Sequence, residues 1–454
     1  MRNRSDSRST SMTRKYELLD EHGKKYRNTP YISSIFIMRC IVLLSFAAIF
    51  FFMCRMVFSW SDTGLSERER AALREGPTHD TVTVKPKYRD RNVRPQHSLN
   101  LDIPGKMTCP GVVIKPSAKS PDDANQVRPA DITYVAALGD SITTGSWSYD
   151  KEEDYDSDEM NYVGNSFDMG GDGGLETHLT LPTILRHLNP ALVGFSLGRG
   201  LSEEHAALNV AYPGRLSNDF PRQATELVQR FRNYPEASVK NDWKLVNMFI
   251  GTNDISSLCR TGFGTSKQEY KNYIREAIMI IQSALPKTIV SLIGMWNLDF
   301  EWRASKIIYN KTVSCMIRDF DKIAQQRIVE YREALVELSA EPRLQTKNLA
   351  VTVQRVFDDL YTPLKKADGK YNINFYATDV FHLSKYGNSL VAKQLWKHLI
   401  SPDGNKTTTN DEMTDESPAL ACPDKDCPFI RTPVNSVKCT LPPPPTTTTA
   451  KPSK

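Results

Sequence analysis

The sequence predicts an α/β fold with a mainly parallel sheet. Short, uninterrupted apolar runs alternate along the chain with longer segments whose apolar residues recur three or four positions apart. Strands that are buried on both faces are typically continuous apolar runs, and strands that alternate with helices favour a parallel sheet. Functional groups on such sheets gather beyond the carboxyl ends of the strands. Polar residues that closely follow a predicted strand are therefore the first candidates for a functional site.

Four strands and four helices are predicted in this way. The apolar runs predict strands at 132–138, 245–250, 289–295 and 349–353. The helical spacing of apolar residues predicts helices within 224–231, 270–281, 317–335 and 390–400. Because apolar residues at this spacing share one face of a helix, we interpret them as core rather than as a cofactor site.

Ser141 follows the first predicted strand, where a buried strand ends and a loop begins. A serine hydroxyl in such a place can act as a nucleophile when a base lies within hydrogen-bonding reach. His382 is the candidate base, and Asp379, three residues earlier, is the candidate for orienting its ring. Asn253 closely follows the second predicted strand and offers an amide N–H that can bind an oxyanion. These residue types together predict hydrolysis of an ester by a serine.

Two further acids stand beside these candidates. Asp140 precedes Ser141, and Asp254 follows Asn253. Carboxylates on turns commonly accept hydrogen bonds from nearby backbone N–H groups. We therefore interpret both acids as local supports of the site and not as reacting groups.

The N-terminal region predicts a membrane anchor. Residues 1–30 form a basic tail, and residues 31–60 include an uncharged apolar stretch at 40–54 that Arg39 and Arg55 bound. Arginines at the ends of a short span can extend toward the lipid headgroups, and basic residues before it predict a cytoplasmic N-terminus. The expected topology is a single-pass type II membrane protein with a catalytic domain outside the cytosol. A cleaved signal peptide and a secreted protein are the alternative.

The rest of the chain divides by composition. Residues 61–104 are rich in charged residues, proline and threonine and are predicted to form a stalk. Residues 105–440 carry the predicted strands and helices and are expected to form one hydrolase domain. Residues 441–454 are rich in proline and threonine, a composition that cannot build a core and predicts a flexible tail.

The location of the net charge argues against nucleic acid as a partner. The formal net charge is +5, and residues 1–39 hold nine basic and four acidic residues, which accounts for all of it. The remaining chain is therefore neutral. Because phosphate contacts dominate nucleic-acid affinity, a nucleic-acid-binding domain would need its own basic excess.

Cysteine content and two glycosylation sequons are typical of an exported domain. Asn310 and Asn405 each begin an Asn-Lys-Thr sequon, so both are candidates for glycosylation. The six cysteines after the predicted span can form up to three disulfides, in any of 15 pairings. Their spacing is not that of a metal site, so no metal is expected. The six candidates are Cys109, Cys259, Cys315, Cys422, Cys427 and Cys439.

Four blocks of the sequence together resemble the SGNH, or GDSL, lipases and esterases. In order they are Ala137-Leu-Gly-Asp-Ser141, Asn209-Val-Ala-Tyr-Pro-Gly214, Gly251-Thr-Asn-Asp254 and Asp379-Val-Phe-His382. Within that family, further segments are similar to the membrane-associated phospholipases B. These segments are Gly170-Gly-Asp-Gly-Gly174, Leu181-Pro-Thr-Ile-Leu-Arg186, Asp242-Trp243 and Pro428-Phe-Ile-Arg-Thr432.

The resemblance implies a fold and a set of roles. The implied fold is a three-layer α/β/α SGNH-hydrolase domain, which is flavodoxin-like, and the implied acyl-enzyme mechanism needs no metal or cofactor. Ser141 would be the nucleophile, His382 its base and Asp379 the orienting acid. The oxyanion would be bound by the backbone N–H groups of Ser141 and Gly214 and by the amide of Asn253.

The implied activity is that of a phospholipase B, which releases fatty acids from glycerophospholipids and lysophospholipids. Its partners would be these lipids and the membrane surface that contains them. Two alternatives stay open at this point. The first is a broader lipase or carboxylesterase acting on neutral or retinyl esters, because the motifs describe the reaction and not the alcohol. The second is a membrane-tethered lipid-binding protein without catalytic activity. The sequence does not define an oligomeric state.

Overall fold

The structure is a computed structural model that describes residues 102–149, 159–310 and 315–441 of the 454-residue chain. The basic tail, the predicted membrane span, the predicted stalk up to residue 101 and the residues after 441 lie outside the described residues. No helix formed by the described residues is both long enough and apolar enough to cross a bilayer.

A parallel sheet of four strands, in the order β1-β2-β3-β4, lies at the centre of the described residues. All but one of its strand residues are buried. The predicted parallel sheet and its four predicted strands are confirmed, with ends that differ from the prediction by at most two residues. The strands are β1 (Ile132–Gly139), β2 (Trp243–Phe249), β3 (Thr288–Ile293) and β4 (Leu349–Gln354).

Helices cover both faces of the sheet and share one continuous hydrophobic core with it. Helices α3, α6 and α8 pack side by side in one layer, and α1 packs against α9 in the other. The expected three-layer α/β/α architecture is therefore confirmed. In chain order the described helices are α1 (Leu181–Leu188), α2 (Glu203–Ala206), α3 (Phe220–Arg230), α4 (Glu236–Asn241), α5 (Thr252–Thr261), α6 (Lys267–Ala284), α7 (Ala304–Tyr309), α8 (Phe320–Ser339), α9 (Lys385–Ile400), α10 (Asn410–Met413) and α11 (Pro433–Val437).

The four predicted helices are present, and local chemistry explains where they begin. Helix α8 starts at Phe320 and not at Ile317, because the preceding Asp319 has a φ of +56°, outside the right-handed helical region. Helix α9 starts before the predicted residue 390 because the Ser384 side chain caps it by accepting the N–H of Gly387. Helix α5 was not predicted from spacing, since its first turn carries Asn253 and Asp254, which have weak helix propensity.

An irregular segment follows the outer edge of β1 and continues the sheet without forming a regular strand. The N–H of Val135 donates to the carbonyl of Val193 at 3.0 Å, and the N–H of Val210 donates to the carbonyl of Ala137 at 3.0 Å. The N–H of Tyr212 then donates to the carbonyl of the last β1 residue at 3.3 Å. This irregular segment runs along β1 and reaches its carboxyl end, where the loop with Ser141 begins.

All six candidate cysteines form disulfides. One bond joins the segment before β1 to the segment after α9, and a second joins α5 to the segment that leads into α8. The third closes a short loop around α11. The pairs are Cys109–Cys422, Cys259–Cys315 and Cys427–Cys439.

Candidate active site

Ser141 lies in the loop that leaves the carboxyl end of β1, and it is buried. The peptide before it is held from α3: Oε1 of Gln223 accepts the N–H of Gly139 at 2.9 Å, and Nε2 of Gln223 donates to the Gly139 carbonyl at 3.0 Å. The turn itself is held by Asp140, whose Oδ1 accepts the N–H of Ile142 at 3.0 Å. The position of the Ser141 hydroxyl is thus set by the sheet, by α3 and by its own turn.

Ser141, His382 and Asp379 form a continuous line of hydrogen bonds. Nε2 of His382 lies 2.9 Å from Oγ of Ser141, although the two residues are 241 positions apart. Nδ1 of the same ring lies 2.5 Å from Oδ2 of Asp379. A hydroxyl, an imidazole and a carboxylate in this order can transfer the hydroxyl proton to the ring as the oxygen attacks.

The loop between β4 and α9 holds the acid and the base in a hydrogen-bonded turn of their own. Oδ1 of Asp379 accepts the N–H groups of Phe381 at 3.1 Å and His382 at 3.0 Å. The N–H of Ala377 donates to the His382 carbonyl at 2.7 Å, which closes the turn. Val380 sits inside it with a φ of +56°, a strained conformation for a β-branched residue. These bonds place both side chains on the same side of the loop.

The charge of Asp379 is stabilised where it lies. Burial by itself raises the pKa of this carboxyl. The charge of the nearby His382 lowers it, as do the hydrogen bonds from the His382 ring and from two backbone N–H groups. These effects outweigh burial, so the pKa lies below its usual value. Asp379 is therefore ionised at neutral pH. A carboxylate in this state keeps the Nδ1 proton of the ring and leaves Nε2 free to accept one from Ser141.

Gly214 and Asn253 lie on segments that hydrogen bonds connect to each other and to the serine loop. Tyr212 is bonded to the end of β1, and two residues later Gly214 has a φ of +76°, which favours glycine. Nδ2 of Asn253, in the first turn of α5, donates to the carbonyl of Arg215 at 3.1 Å. The second Nδ2 proton of Asn253 is available for another acceptor.

Asp254 braces this arrangement from within the core. Its Oδ2 accepts the N–H of Ser217 at 2.9 Å, and its Oδ1 accepts the Ser217 hydroxyl at 2.7 Å and the Thr265 hydroxyl at 2.5 Å. The carboxyl thus ties the start of α5 to the segment after Gly214 and to the start of α6. The interpretation of Asp254 as a support agrees with these contacts.

Two buried acids lie beneath the serine loop. Burial raises the pKa of Asp140 to about 7 and also raises the pKa of Asp168 to about 7. Asp168 accepts the hydroxyl of Ser166 at 2.7 Å and, more weakly, that of Thr143 at 3.4 Å. After burial, the like charge of Asp140 also raises the pKa of Asp168, and that of Asp254 raises the pKa of Asp140. The serine loop therefore rests on groups that change charge near neutral pH.

Sequence reasoning missed Gln223 and Trp147. Gln223 lies just before the predicted helix at 224–231, and no pattern in the sequence indicates that its amide reaches β1. The Trp147 ring stacks on the His382 ring, with centroids 6.5 Å apart and planes 22° apart, and Trp147 has a φ of +65°. The position of Trp147 shortly after the Gly-Asp-Ser block was the only feature of the sequence that could have indicated a place near the site. Trp147 and Phe381, whose ring centroid is 5.0 Å from that of His382, flank the base with aromatic surface.

Both predicted glycosylation residues lie on the surface. Asn310 is exposed at the end of α7, and Asn405 is exposed in the segment after α9. Their accessibility is compatible with modification. Glycosylation of either residue stays a prediction.

A parallel α/β/α sheet with this line of groups at the carboxyl end of β1 defines a carboxylic ester hydrolase. The chain belongs to the family of GDSL-like lipases and acylhydrolases, whose model matches residues 135–395. The matched residues include β1 from Val135 onward, Ser141, Gly214, Asn253 and the Asp379–His382 turn. The family expected from the four sequence blocks is confirmed.

Two relatives of this chain from different organisms share the name membrane-associated phospholipase B1. Membrane-associated phospholipase B1 of Rattus norvegicus is 36% identical over 332 residues, which cover 71% of this chain and 22% of that protein. The Homo sapiens protein of that name is 34% identical over 332 residues, with the same two shares. The chain thus spans about a fifth of the length of these relatives. Among solved structures, a carbohydrate esterase family 3 protein from Talaromyces cellulolyticus aligns with 57% of this chain and 93% of its own, at 14% identity and a TM-score of 0.33.

Proposed function

We propose that this protein is a phospholipase B-like hydrolase that releases fatty acids from glycerophospholipids and lysophospholipids. The observation that carries the proposal is the hydrogen-bonded line from Ser141 through His382 to Asp379. The similarity to membrane-associated phospholipase B1 over 332 residues supports the choice of a phospholipid ester. The flanking aromatic side chains of Trp147 and Phe381 suit an apolar acyl chain beside the base.

The proposed first step forms an acyl-enzyme. Oγ of Ser141 attacks the ester carbonyl carbon while Nε2 of His382 accepts the hydroxyl proton. The oxyanion that develops accepts hydrogen bonds from the N–H groups of Ser141 and Gly214 and from the amide of Asn253. The protonated His382 then donates its proton to the departing alcohol oxygen as the ester bond breaks. The alcohol is a lysophospholipid or a glycerophosphodiester.

The second step releases the fatty acid. Nε2 of His382 accepts a proton from water as the water oxygen attacks the acyl carbon, and the proton returns to Ser141 Oγ as that bond breaks. Throughout both steps the ionised Asp379 keeps the ring in the required tautomer and stabilises its positive form.

The proposed setting is a type II membrane protein with residues 1–30 in the cytosol, 31–60 in the bilayer, 61–104 as a stalk and 105–440 as the catalytic domain. The basic tail and the apolar stretch support this division, and so does the presence of three disulfides. Sequencing the N-terminus of the mature protein tests it. A mature chain that begins near residue 60 would establish a cleaved signal and overturn the anchor.

The test of function compares the full chain with its Ser141→Ala variant in detergent. Fatty-acid release is measured on phosphatidylcholine, on lysophosphatidylcholine and on a soluble short-chain ester. We expect Ser141→Ala to lower the turnover of all three substrates by about 10⁴-fold or more. Ser146→Ala is the matched control, because Ser146 is also buried and its hydroxyl bonds to Asn161 rather than to His382.

Each outcome separates the proposal from its alternatives. Release that survives Ser141→Ala would remove Ser141 as the nucleophile. Activity on the short ester, or on neutral or retinyl esters, without activity on either phospholipid would establish the broader esterase. A folded protein that is inactive on every ester but retains lipid would be the non-catalytic binding protein.

A further inference from the structure

Two large apolar side chains are exposed on the two segments that the Cys259–Cys315 disulfide joins. Phe263, just after α5, is 82% exposed, and Met316, just before α8, is 78% exposed. We refer to residues 259–263 and 315–318 as the disulfide tip. Single exposed apolar residues are common on proteins, but two on joined segments can contribute to one apolar patch, and such patches mark binding surfaces.

Three features hold the two segments of the disulfide tip together. Besides the disulfide, the N–H of Met316 donates to the carbonyl of Cys259 at 2.8 Å. Gly262 ends α5 with a φ of +74°, and a Cβ there would lie 3.0 Å from Cγ2 of Ile317. The two strips of chain are therefore pressed together, and both apolar side chains point to solvent.

Basic residues lie within and just after the two segments of the disulfide tip. Arg260, Arg318 and Lys322 are exposed, and none of them forms an ion pair with another described residue. Of the nearby acids, Asp321 is paired with Arg303 at 3.2 Å. Asp319 is exposed beside Arg318, so in this described part of the chain the three basic residues outnumber the one unpaired acid. An apolar centre with unpaired basic groups at its edge matches the boundary of a phospholipid layer, where acyl chains lie below anionic headgroups.

The disulfide tip is also connected to the candidate active site. Helix α5 carries Asn253 at one end and Cys259 near the other. A row of aromatic rings leads from the first residue of α8 to the base, from Phe320 to Trp302 at 6.0 Å, from Trp302 to Phe381 at 5.9 Å, and from Phe381 to His382 at 5.0 Å. Phe320 is buried, so this row connects the disulfide tip to the base through packed rings and not along an open surface.

We propose that the disulfide tip inserts Phe263 and Met316 into a phospholipid membrane that contains anionic lipid, while Arg260 and Arg318 contact its phosphates. The proposal rests on the proposed function, because it assigns the surface through which that site reaches its substrate. It concerns the described catalytic domain and is separate from any anchor in residues 31–60.

Insertion is tested by fluorescence quenching. The full chain is incorporated into phosphatidylcholine and phosphatidylserine vesicles with brominated acyl chains, in a Ser141→Ala background that leaves the lipid intact. Tryptophan is introduced by Phe263→Trp or, as the control, by Val437→Trp on α11, where Val437 is 90% exposed. The chain has six native tryptophans, so the parent chain is measured under the same conditions and its signal is subtracted. We expect the tryptophan that Phe263→Trp adds to be quenched at least about twofold more than the one that Val437→Trp adds. Equal quenching at the two positions overturns the proposal.

Kinetics provide an independent measurement. The double variant Phe263→Ala and Met316→Ala should lower hydrolysis of vesicle phospholipid by about tenfold and leave hydrolysis of a soluble short-chain ester unchanged. Val437→Ala should change neither rate. The double variant Arg260→Gln and Arg318→Gln should remove the gain that anionic lipid provides. Vesicle rates that are unaffected by the Phe263 and Met316 replacements contradict the proposal.

The two proposals fail in different ways. If the protein hydrolyses no phospholipid but position 263 is quenched, the disulfide tip binds membranes and the proposed function is wrong. If phospholipid is hydrolysed without quenching at 263, the proposed function stands and the tip serves another partner, such as a protein. Removing N-linked glycans before both measurements separates the effect of a glycan at the nearby Asn310.

Discussion

The two halves of the candidate site are held in different ways. The first half consists of Ser141 after β1, Asn253 after β2 and Gly214 after the irregular edge segment. Distant parts of the chain support these residues, as Gln223 does for the serine loop. Asp379 and His382 lie on a loop whose supporting bonds come from within a few residues. The first half depends on the sheet and its helices, whereas the second carries its own geometry into the site.

This difference indicates where each kind of substitution should act. A change in the Asp379–His382 turn should alter proton transfer while the core keeps its packing. A change among the supports of the serine half should alter stability and positioning together, because those supports are buried polar groups. Four predictions test the contrast, in order of decreasing effect on turnover.

The largest effect is expected for Asp379→Asn. The amide cannot stabilise the positive ring, and it favours the wrong tautomer of His382, so we expect turnover of the short ester to fall by about 10⁴-fold. The free energy of unfolding should change little. A variant that loses activity only because it unfolds, as measured by urea denaturation, would contradict the local character of this turn.

Asn253→Ala tests a single donor of the strand-end half. Removing one oxyanion donor typically costs about 100- to 1000-fold in turnover with a small change in KM. Asn272→Ala, on the outer face of α6, is the matched control and should keep full activity. A raised KM with an unchanged kcat would indicate that Asn253 binds the substrate in its ground state rather than the oxyanion.

Gln223→Ala should have a smaller effect on rate and a clear effect on stability. It leaves the buried N–H of Gly139 without its partner, which typically costs about 1–3 kcal/mol of unfolding free energy. Displacement of the serine loop should lower kcat by about tenfold without raising KM. Gln223→Glu keeps an acceptor for that N–H but has no donor for the Gly139 carbonyl and the Asp219 carboxylate, so it should recover neither loss at neutral pH. A lowered stability with an unchanged kcat would limit Gln223 to a structural role.

Asp168→Asn should change the pH dependence of stability more than the rate. Folding raises the pKa of this carboxyl from 3.8 to about 7, because it is buried. The stability it contributes is fully present below pH 4 and is lost as the pH rises through 7. The amide in Asp168→Asn does not titrate, so the variant avoids that loss. Its unfolding free energy relative to wild type should therefore increase by about 3 kcal/mol between pH 5 and 8.

Urea denaturation at several pH values measures this change, with Asp411→Asn at an exposed position as the control. Asp140 keeps its own carboxyl in the variant, so part of the wild-type slope should remain. A relative stability that stays constant from pH 5 to 8 would show that Asp168 does not titrate differently on folding.

Much of the fold and of the candidate site could be predicted because the signals are local. The apolar run before Ser141 predicted β1, since a strand buried on both faces needs apolar residues throughout. The spacing of Asp379 and His382 predicted their contact, since a carboxylate three residues before the base can close a tight turn. Helices α1 and α5 were missed, because α1 is short and the first turn of α5 carries polar residues.

The supports of the site could not be predicted in the same way. Gln223 and Asp254 bond to residues that are distant in sequence or on another element, and their residue types are common on helices. The cysteine pairing also stayed open among 15 possibilities until the termini of the domain were seen to meet at Cys109–Cys422. The disulfide tip is equally invisible in the sequence, where Phe263 and Met316 are far apart.

The sequence by itself determined the α/β class, the family and the candidate nucleophile, base and acid. These follow from runs, spacings and short motifs that need only neighbouring residues. The tertiary structure decided which side chains support the nucleophile, how the cysteines pair and which apolar residues remain exposed beside the site. Each of these depends on which distant segments pack together, and a side chain's partner across a core is not encoded in its neighbours along the chain.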